Sequence, residues 1–212
     1  SLEQLVGEHE SIRRSVQEVN IPRMTREEIF EIIDFGLVAT GMTMDARARL
    51  KIARLSEGLP HYAHSLALRA CEHAVFDDRL EVQLIDVKIA IEEIISSHSL
   101  RLEYQVATQS SHQDAIFEAV LVSCALAEKD KLGFFSNREV GNVLENILSR
   151  RPQFSSHLAA FSSNDRGNVL QRDSAHSGSR FRFRNPLLQP FAVMVAISTG
   201  VLPENYLDED VE

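Results

Sequence analysis

Arg180-Phe-Arg-Phe-Arg184 alternates charge and ring with a period of two. A strand turns successive side chains to opposite faces, so Phe181 and Phe183 belong to a core while Arg180, Arg182 and Arg184 point outward. Working back along the chain, the polar stretch 173–179 reads as a hairpin tip and 168–172 as the strand that pairs across it. Three segments with helical spacing come earlier, 115–128, 137–148 and 155–161. Leu132-Gly-Phe-Phe-Ser136 is a turn into a very short strand between the first two of them. Helix, helix, helix, strand, tip, strand is the order of a winged helix. Pro186 then opens a further helix that runs to Ile197.

The first half reads differently. Residues 2–19 have helix-like spacing, weakened by Gly7, and Asn20-Ile-Pro-Arg-Met24 is an extended link because Pro22 disfavours helix at Ile21. Thr25-Arg-Glu-Glu28 has the form of a capping box. The helix it opens buries Ile29, Ile32, Ile33 and Phe35 and is expected to end at Gly36. Three more helices are expected, at 43–57, 60–76 and 84–97, and no segment of this half alternates as a strand does. Residues 96–112 are polar and rich in Ser and Gln, as a linker between domains would be. The predicted organisation is mainly α: an opening helix and link at 1–23, a four-helix bundle at 24–97, a linker at 98–112, a winged-helix domain with a small β-hairpin wing at 113–202, and an acidic tail at 203–212. Two separately packed units meeting near 96–112 are expected from it.

The 212 residues carry a net charge of −9 with 44% hydrophobic and 25% charged residues, an ordinary globular balance. An acidic total argues against a protein coated in nucleic acid, and no apolar run is long enough for a membrane span. The charge is uneven: seven arginines and only two acids lie between Arg150 and Arg184. The tail is expected to be a solubilising end that can also shield a basic surface. Cys71 and Cys124 read as buried free thiols of a reducing, cytoplasmic setting.

Catalytic signatures are missing. None of the nine glycines precedes a lysine, which excludes a phosphate-binding P-loop from this stretch. His61, His64, Cys71 and His73 do not close a tetrahedron on a helix, so no metal is expected.

Glu8-His-Glu-Ser-Ile-Arg-Arg14, Val19-Asn-Ile-Pro-Arg-Met24 and Thr25-Arg-Glu-Glu-Ile29, followed by Leu55-Ser-Glu-Gly-Leu-Pro-His61 and Ala70-Cys-Glu-His-Ala74, resemble the end of an AAA+ or STAND ATPase, of the kind related to replication-initiator and transposition ATPases. Phe181-Arg-Phe-Arg-Asn-Pro-Leu-Leu-Gln-Pro-Phe191 is similar to the winged-helix tail of bacterial members. The resemblance implies a lid and a winged helix that follow an ATPase core, with ATP and Mg²⁺ bound by that core and none by this stretch alone. It makes Arg13 and Arg14 candidates for a catalytic arginine finger acting on a neighbouring subunit's γ-phosphate. The plainer alternative for both is a solvated helix face paired with Glu8 and Glu10. Gly58, Pro60, His61 and His64 fall where the lid would meet nucleotide. The arginine that many lids place there is replaced by histidine, which carries no fixed charge.

On the winged-helix side, Arg151, Arg172, Arg180, Arg182 and Arg184 are candidate phosphate contacts. Residues 155–161, the helix that would enter the major groove, offer only Ser155, Ser156 and His157. The expectation is a non-catalytic lid and winged helix that couples nucleotide state to DNA or to a partner, in a possible homo-oligomer. The alternatives are a regulatory latch working through protein contacts only, and a free-standing regulator with a helical ligand-binding half.

Overall fold

A computed structural model describes residues 21–97, 99–110, 116–173 and 179–206. Arg13 and Arg14, with the rest of 1–20, lie outside the described residues, as do the hairpin tip 174–178 and the chain end 207–212.

The first helix, α1 (Arg26–Thr40), starts on the expected capping box. Thr25 Oγ1 accepts from the Glu28 amide at 3.2 Å, and the Thr25 amide donates to Glu28 Oε2 at 2.7 Å. Gly36 does not end it. A glycine inside a helix costs only about 1 kcal/mol, and the stripe Ile29, Ile33, Leu37 continues past it to Gly41, which takes the left-handed cap at φ 68°. Phe35 lies off that stripe and is 80% exposed, contrary to expectation.

Two short strands, β1 (Thr43–Met44) and β2 (Glu81–Val82), pair in parallel, so the connection that follows the first helix lies beside the one at 77–83. Two-residue rungs carry no alternation, so nothing in the sequence announces them. Between them stand α2 (Ala46–Ser56), capped by Asp45, and α3 (Pro60–Phe76), with Pro60 in its first turn. Next comes α4 (Leu84–Ser97), held at its start by Asp86, whose buried carboxylate takes both Arg79 amino groups and the Gln83 amide.

Part of the stretch expected to be a linker at 98–112 is helical. Leu100–Thr108 is a helix, α5, and its residues Leu100, Tyr104 and Ala107 form a buried stripe. Gln105 lies on the solvent side of this amphipathic helix, and Ser99 and Gln109 stand at its ends. Tyr104 packs edge-on against Phe191 at 6.0 Å between ring centres, and its hydroxyl donates to Glu118 at 2.8 Å.

In the second half α6 (Phe117–Leu126), β3 (Phe135–Ser136), α7 (Asn137–Leu148), α8 (Ser155–Phe161), β4 (Leu170–Asp173) and β5 (Arg180–Phe183) follow in winged-helix order. The sheet order is β3-β5-β4, antiparallel throughout. Phe135, Phe181 and Phe183 share the inner face, as the alternation predicts. The fold class is therefore mainly α, a helical bundle followed by a winged helix.

The last helix, α9 (Leu188–Ser198), is apolar on all sides because it is buried on all sides. It packs on α6 and α5 of the second half and on α2 and α4 of the first. Among the described residues an apolar cluster runs through both halves. Residues 203–206, expected to belong to a solvated tail, are exposed, and Glu204 ties them to the helical half: Lys51 Nζ donates to its carbonyl at 2.8 Å, and Lys88 pairs with its carboxylate. Cys124 is buried and Cys71 half-buried, both as free thiols. No helix among the described residues is long and apolar enough to cross a membrane.

Candidate functional site: the basic sheet face and its junction with the helical half

The outer face of the sheet is set by register. Arg182 stands opposite Gln171, and Arg180 opposite Asp173 and Ser136. The Arg180 and Arg182 guanidiniums both lie over the Phe134 ring, at 4.9 and 4.7 Å from its centre. Their polar partners differ. Arg180 donates to two carboxylates, Asp130 at 2.9 Å and Asp173 at 3.1 Å. Arg182 Nε donates to the amide oxygen of Gln171 at 3.0 Å, and Arg184 Nε to that of Asn168 at 3.1 Å. Arg180 is thus largely neutralised by its neighbours, whereas Arg182 and Arg184 are oriented by uncharged groups.

The other candidate arginines lie apart from this face. Arg172 shares the inner-face register with Phe181, yet its exposed guanidinium reaches Ser179 Oγ at 2.6 Å. Arg151 is exposed beside Glu145 at 3.4 Å. His157, on the short α8, is turned inward against the Phe117 ring at 4.5 Å between centres. Burial and the nearby Arg166 lower its pKa.

Of the lid candidates, Gly58 has a packing role. It adopts φ 71°, and a Cβ there would stand 2.5 Å from the Met24 carbonyl oxygen and 2.9 Å from Arg23 Cβ. The link lies against this turn: the Met24 amide donates to the Gly58 carbonyl at 3.0 Å, and Arg23 Nη1 to the Glu57 carbonyl at 2.8 Å. Pro60, His61 and His64 are exposed on the first turns of α3. His61 touches Tyr62 edge-on.

No sequence pattern marks Arg23, Gln189 and Lys129 as functional, yet they meet at the junction of the two halves. Buried Gln189, on α9, accepts from Arg23 Nη2 at 2.8 Å and donates to Glu57 Oε2 at 3.1 Å and to the Ala125 carbonyl at 3.0 Å. Tyr62, also fully buried, donates to the Leu187 carbonyl at 2.9 Å. Lys129 sits at the C-terminal end of α6, where it donates to the Ala125 and Ala127 carbonyls at 2.7 and 2.6 Å. A cation at a helix C-terminus is favoured by the exposed carbonyl dipoles. Sequence spacing offers no signal for this cluster, because Arg23 reaches partners 34 and 166 residues away.

Burial pulls the Lys129 ammonium down to about 8, opposed by the Glu57 carboxylate and aided by Arg23. Burial raises the Glu57 carboxyl, against the pull of Lys129 and Arg23. The thiol of Cys124 is the other titratable group facing Lys129. An unfolded lysine keeps its proton to about pH 10.4. Between these two values the unfolded chain binds more protons, so the contribution of Lys129 to stability rises with pH from about 8 to about 10. Lys129→Met is expected to abolish that rise. Urea midpoints at about pH 7.5 and 9.5 check it, and an equal change with pH in both proteins would contradict it.

Fold and site together define a helical bundle fused to a winged helix, with one basic sheet face and a polar junction between the halves. No family model and no curated protein matches the chain. Among solved structures it is similar to Cdc6p from Pyrobaculum aerophilum, with 13% identity, a TM-score of 0.38 and an overlap covering 94% of this chain and 56% of that one. The chain therefore spans little more than half the length of that neighbour, and so loose a likeness carries nothing about function.

Proposed function

We propose that this chain is the lid and winged-helix portion of an ATP-dependent switch protein of the AAA+ or STAND type that contacts DNA. It works in the cytoplasm, with ATP and Mg²⁺ held by an ATPase core upstream of the lid. The link at 21–24 touches the lid turn at Gly58 and, through Arg23, the winged-helix side at Gln189. A displacement of the chain entering the lid therefore acts on both halves at once. In this reading Arg13 and Arg14 serve a neighbouring subunit of a homo-oligomer, and Pro60, His61 and His64 face the nucleotide.

The observation that carries DNA contact is the sheet face, where Arg182 and Arg184 are held by neutral side chains on an otherwise acidic protein. Phosphate contacts of this kind position a duplex without reading its sequence. Changing both Arg182 and Arg184 to alanine in the full chain is expected to weaken duplex binding and flatten its salt dependence by about two units, since each lost phosphate contact removes about 0.9. Unchanged binding would contradict the assignment.

A second reading, a latch acting through protein contacts, is favoured by one observation. Arg180 is already engaged by Asp130 and Asp173, so carboxylates fit on this face. An acidic partner segment competing with DNA for the same arginines is the outcome that would support it.

A further inference from the structure

Several arginines among the described residues are paired with carboxylates, and one cleft gathers a group that is not. Arg49 pairs with Asp34, Arg69 with Glu93, Arg79 with Asp77 and Asp86, and Arg180 with Asp130 and Asp173. That is what an acidic chain does with its few cations. Between the link and the sheet lies a cleft of about 730 Å³ lined by Arg23, Lys131, Arg182 and Arg184, and none of the residues lining it is acidic. The four come from three distant segments: the link before α1, the loop between α6 and β3, and β5 with the residue after it. Each arginine among them donates to uncharged oxygen. Arg23 uses the Glu57 carbonyl and Gln189, Arg182 uses Gln171, and Arg184 uses Asn168. The Glu57 carboxylate, whose charge bears on both Lys129 and Arg23, does not line the cleft, and the lining residues carry a net positive charge.

Bringing four like charges together costs Coulomb energy. Neutral acceptors fix the direction of a guanidinium while leaving its charge available, and that is preorganisation for an anion. Arg182 and Arg184 are two residues apart on an extended strand, about 7 Å. They can therefore engage neighbouring phosphates of a chain rather than one isolated phosphate. Pro22, Leu59 and Pro186 add apolar walls to an open trough.

We propose that this cleft is a binding site for the phosphodiester backbone of a nucleic acid, formed jointly by the helical half through Arg23 and the winged helix through Lys131, Arg182 and Arg184. The proposal rests on the DNA-contact reading above and deepens it by placing the backbone at the link side of the sheet, away from Arg180. The link that would carry motion from an ATPase core then becomes part of the ligand site itself.

Lys131 is the informative residue, because it is exposed and its truncation should leave stability within about 0.5 kcal/mol. In the full chain, a salt titration of duplex DNA binding by Lys131→Ala should show a slope smaller by about 0.9 and binding weakened several-fold at any one salt concentration. Arg23→Gln should act in the same direction, while Arg180→Ala should leave the slope as it is. An unchanged slope in Lys131→Ala together with a reduced one in Arg180→Ala would overturn the cleft and leave DNA contact on the far end of the sheet standing. No binding by the unaltered chain even at low salt would overturn both readings. Inorganic triphosphate that displaces DNA at equal phosphate concentration would overturn the nucleic-acid assignment in favour of a free-phosphate site, whereas failure to compete supports it.

Discussion

Phe191→Ala is expected to lower the melting temperature of the entire chain by roughly 10 °C. Truncating a buried Phe costs about 3–5 kcal/mol, and each kcal/mol moves a chain of this size by about 2–4 °C. The loss should be global because of where Phe191 sits. Its ring is fully buried on α9, which packs against α6 and α5 and also against α2 and α4 of the helical half. Tyr104 would lose its edge-on partner, and the cluster that joins both halves would lose its bridge. Amide exchange measured along the whole chain checks this. Protection in α2 and in α7 should fall together and by the same free energy. If α7 loses protection while α2 keeps it, the two halves are independent units and the shared core is energetically unimportant.

Gly58→Ala should be nearly as costly, and for a different reason. A left-handed conformation costs an L-residue roughly 1–2 kcal/mol. That much is also expected at Gly41, which has φ 68° and open space within 4 Å of where an alanine methyl would stand. At Gly58 the methyl would meet the Met24 carbonyl at 2.5 Å and Arg23 Cβ at 2.9 Å. Both are backbone or next to it, so no rotamer relieves them. The link must move away, taking with it the bonds Met24 makes to Gly58 and Arg23 makes to Glu57 and Gln189. Overpacking of this kind adds about 1–3 kcal/mol. Comparing thermal melts of Gly58→Ala and Gly41→Ala isolates the close approach. Equal losses would mean that the link is not held against the turn. Because the lesion is in the link, Gly58→Ala should also weaken DNA binding through Arg23, and Gly41→Ala should not.

The helices were legible from the sequence where their signals were local. The capping box at Thr25, Pro60 at the start of α3 and the alternation at Arg180 to Arg184 each depend on neighbours a few residues away, and each element stands where those signals put it. The boundary between the halves was not legible. A short amphipathic helix with Gln105 on its wet side and Ser99 and Gln109 at its ends has the composition of a linker, and only the partners of Tyr104 show that it is packed. The outward direction of Arg180, Arg182 and Arg184 followed from period two. Their difference in charge state did not, because it depends on Asp130, Gln171 and Asn168 arriving from other segments. The junction of Arg23, Glu57, Lys129 and Gln189 is tertiary throughout and leaves no pattern in the chain. Gly58 was singled out for a possible ligand, and the structure supplies a packing reason for it that needs none.

The most direct test of the account is the salt dependence of binding by the unaltered full chain to two duplexes of unrelated sequence. Four cations, each releasing about 0.9 counterion, give a slope of log affinity against log salt of roughly −3 to −4, the same on both duplexes, with micromolar or weaker binding at physiological salt. Low sequence preference follows because α8 turns His157 inward and offers no Arg, Asn or Gln to base edges. Removal of the acidic chain end beyond Tyr206 should strengthen binding without changing its independence of sequence. Absence of binding at low salt, or affinities that differ by about a hundredfold between the two duplexes, well inside the range of specific recognition, would contradict the account.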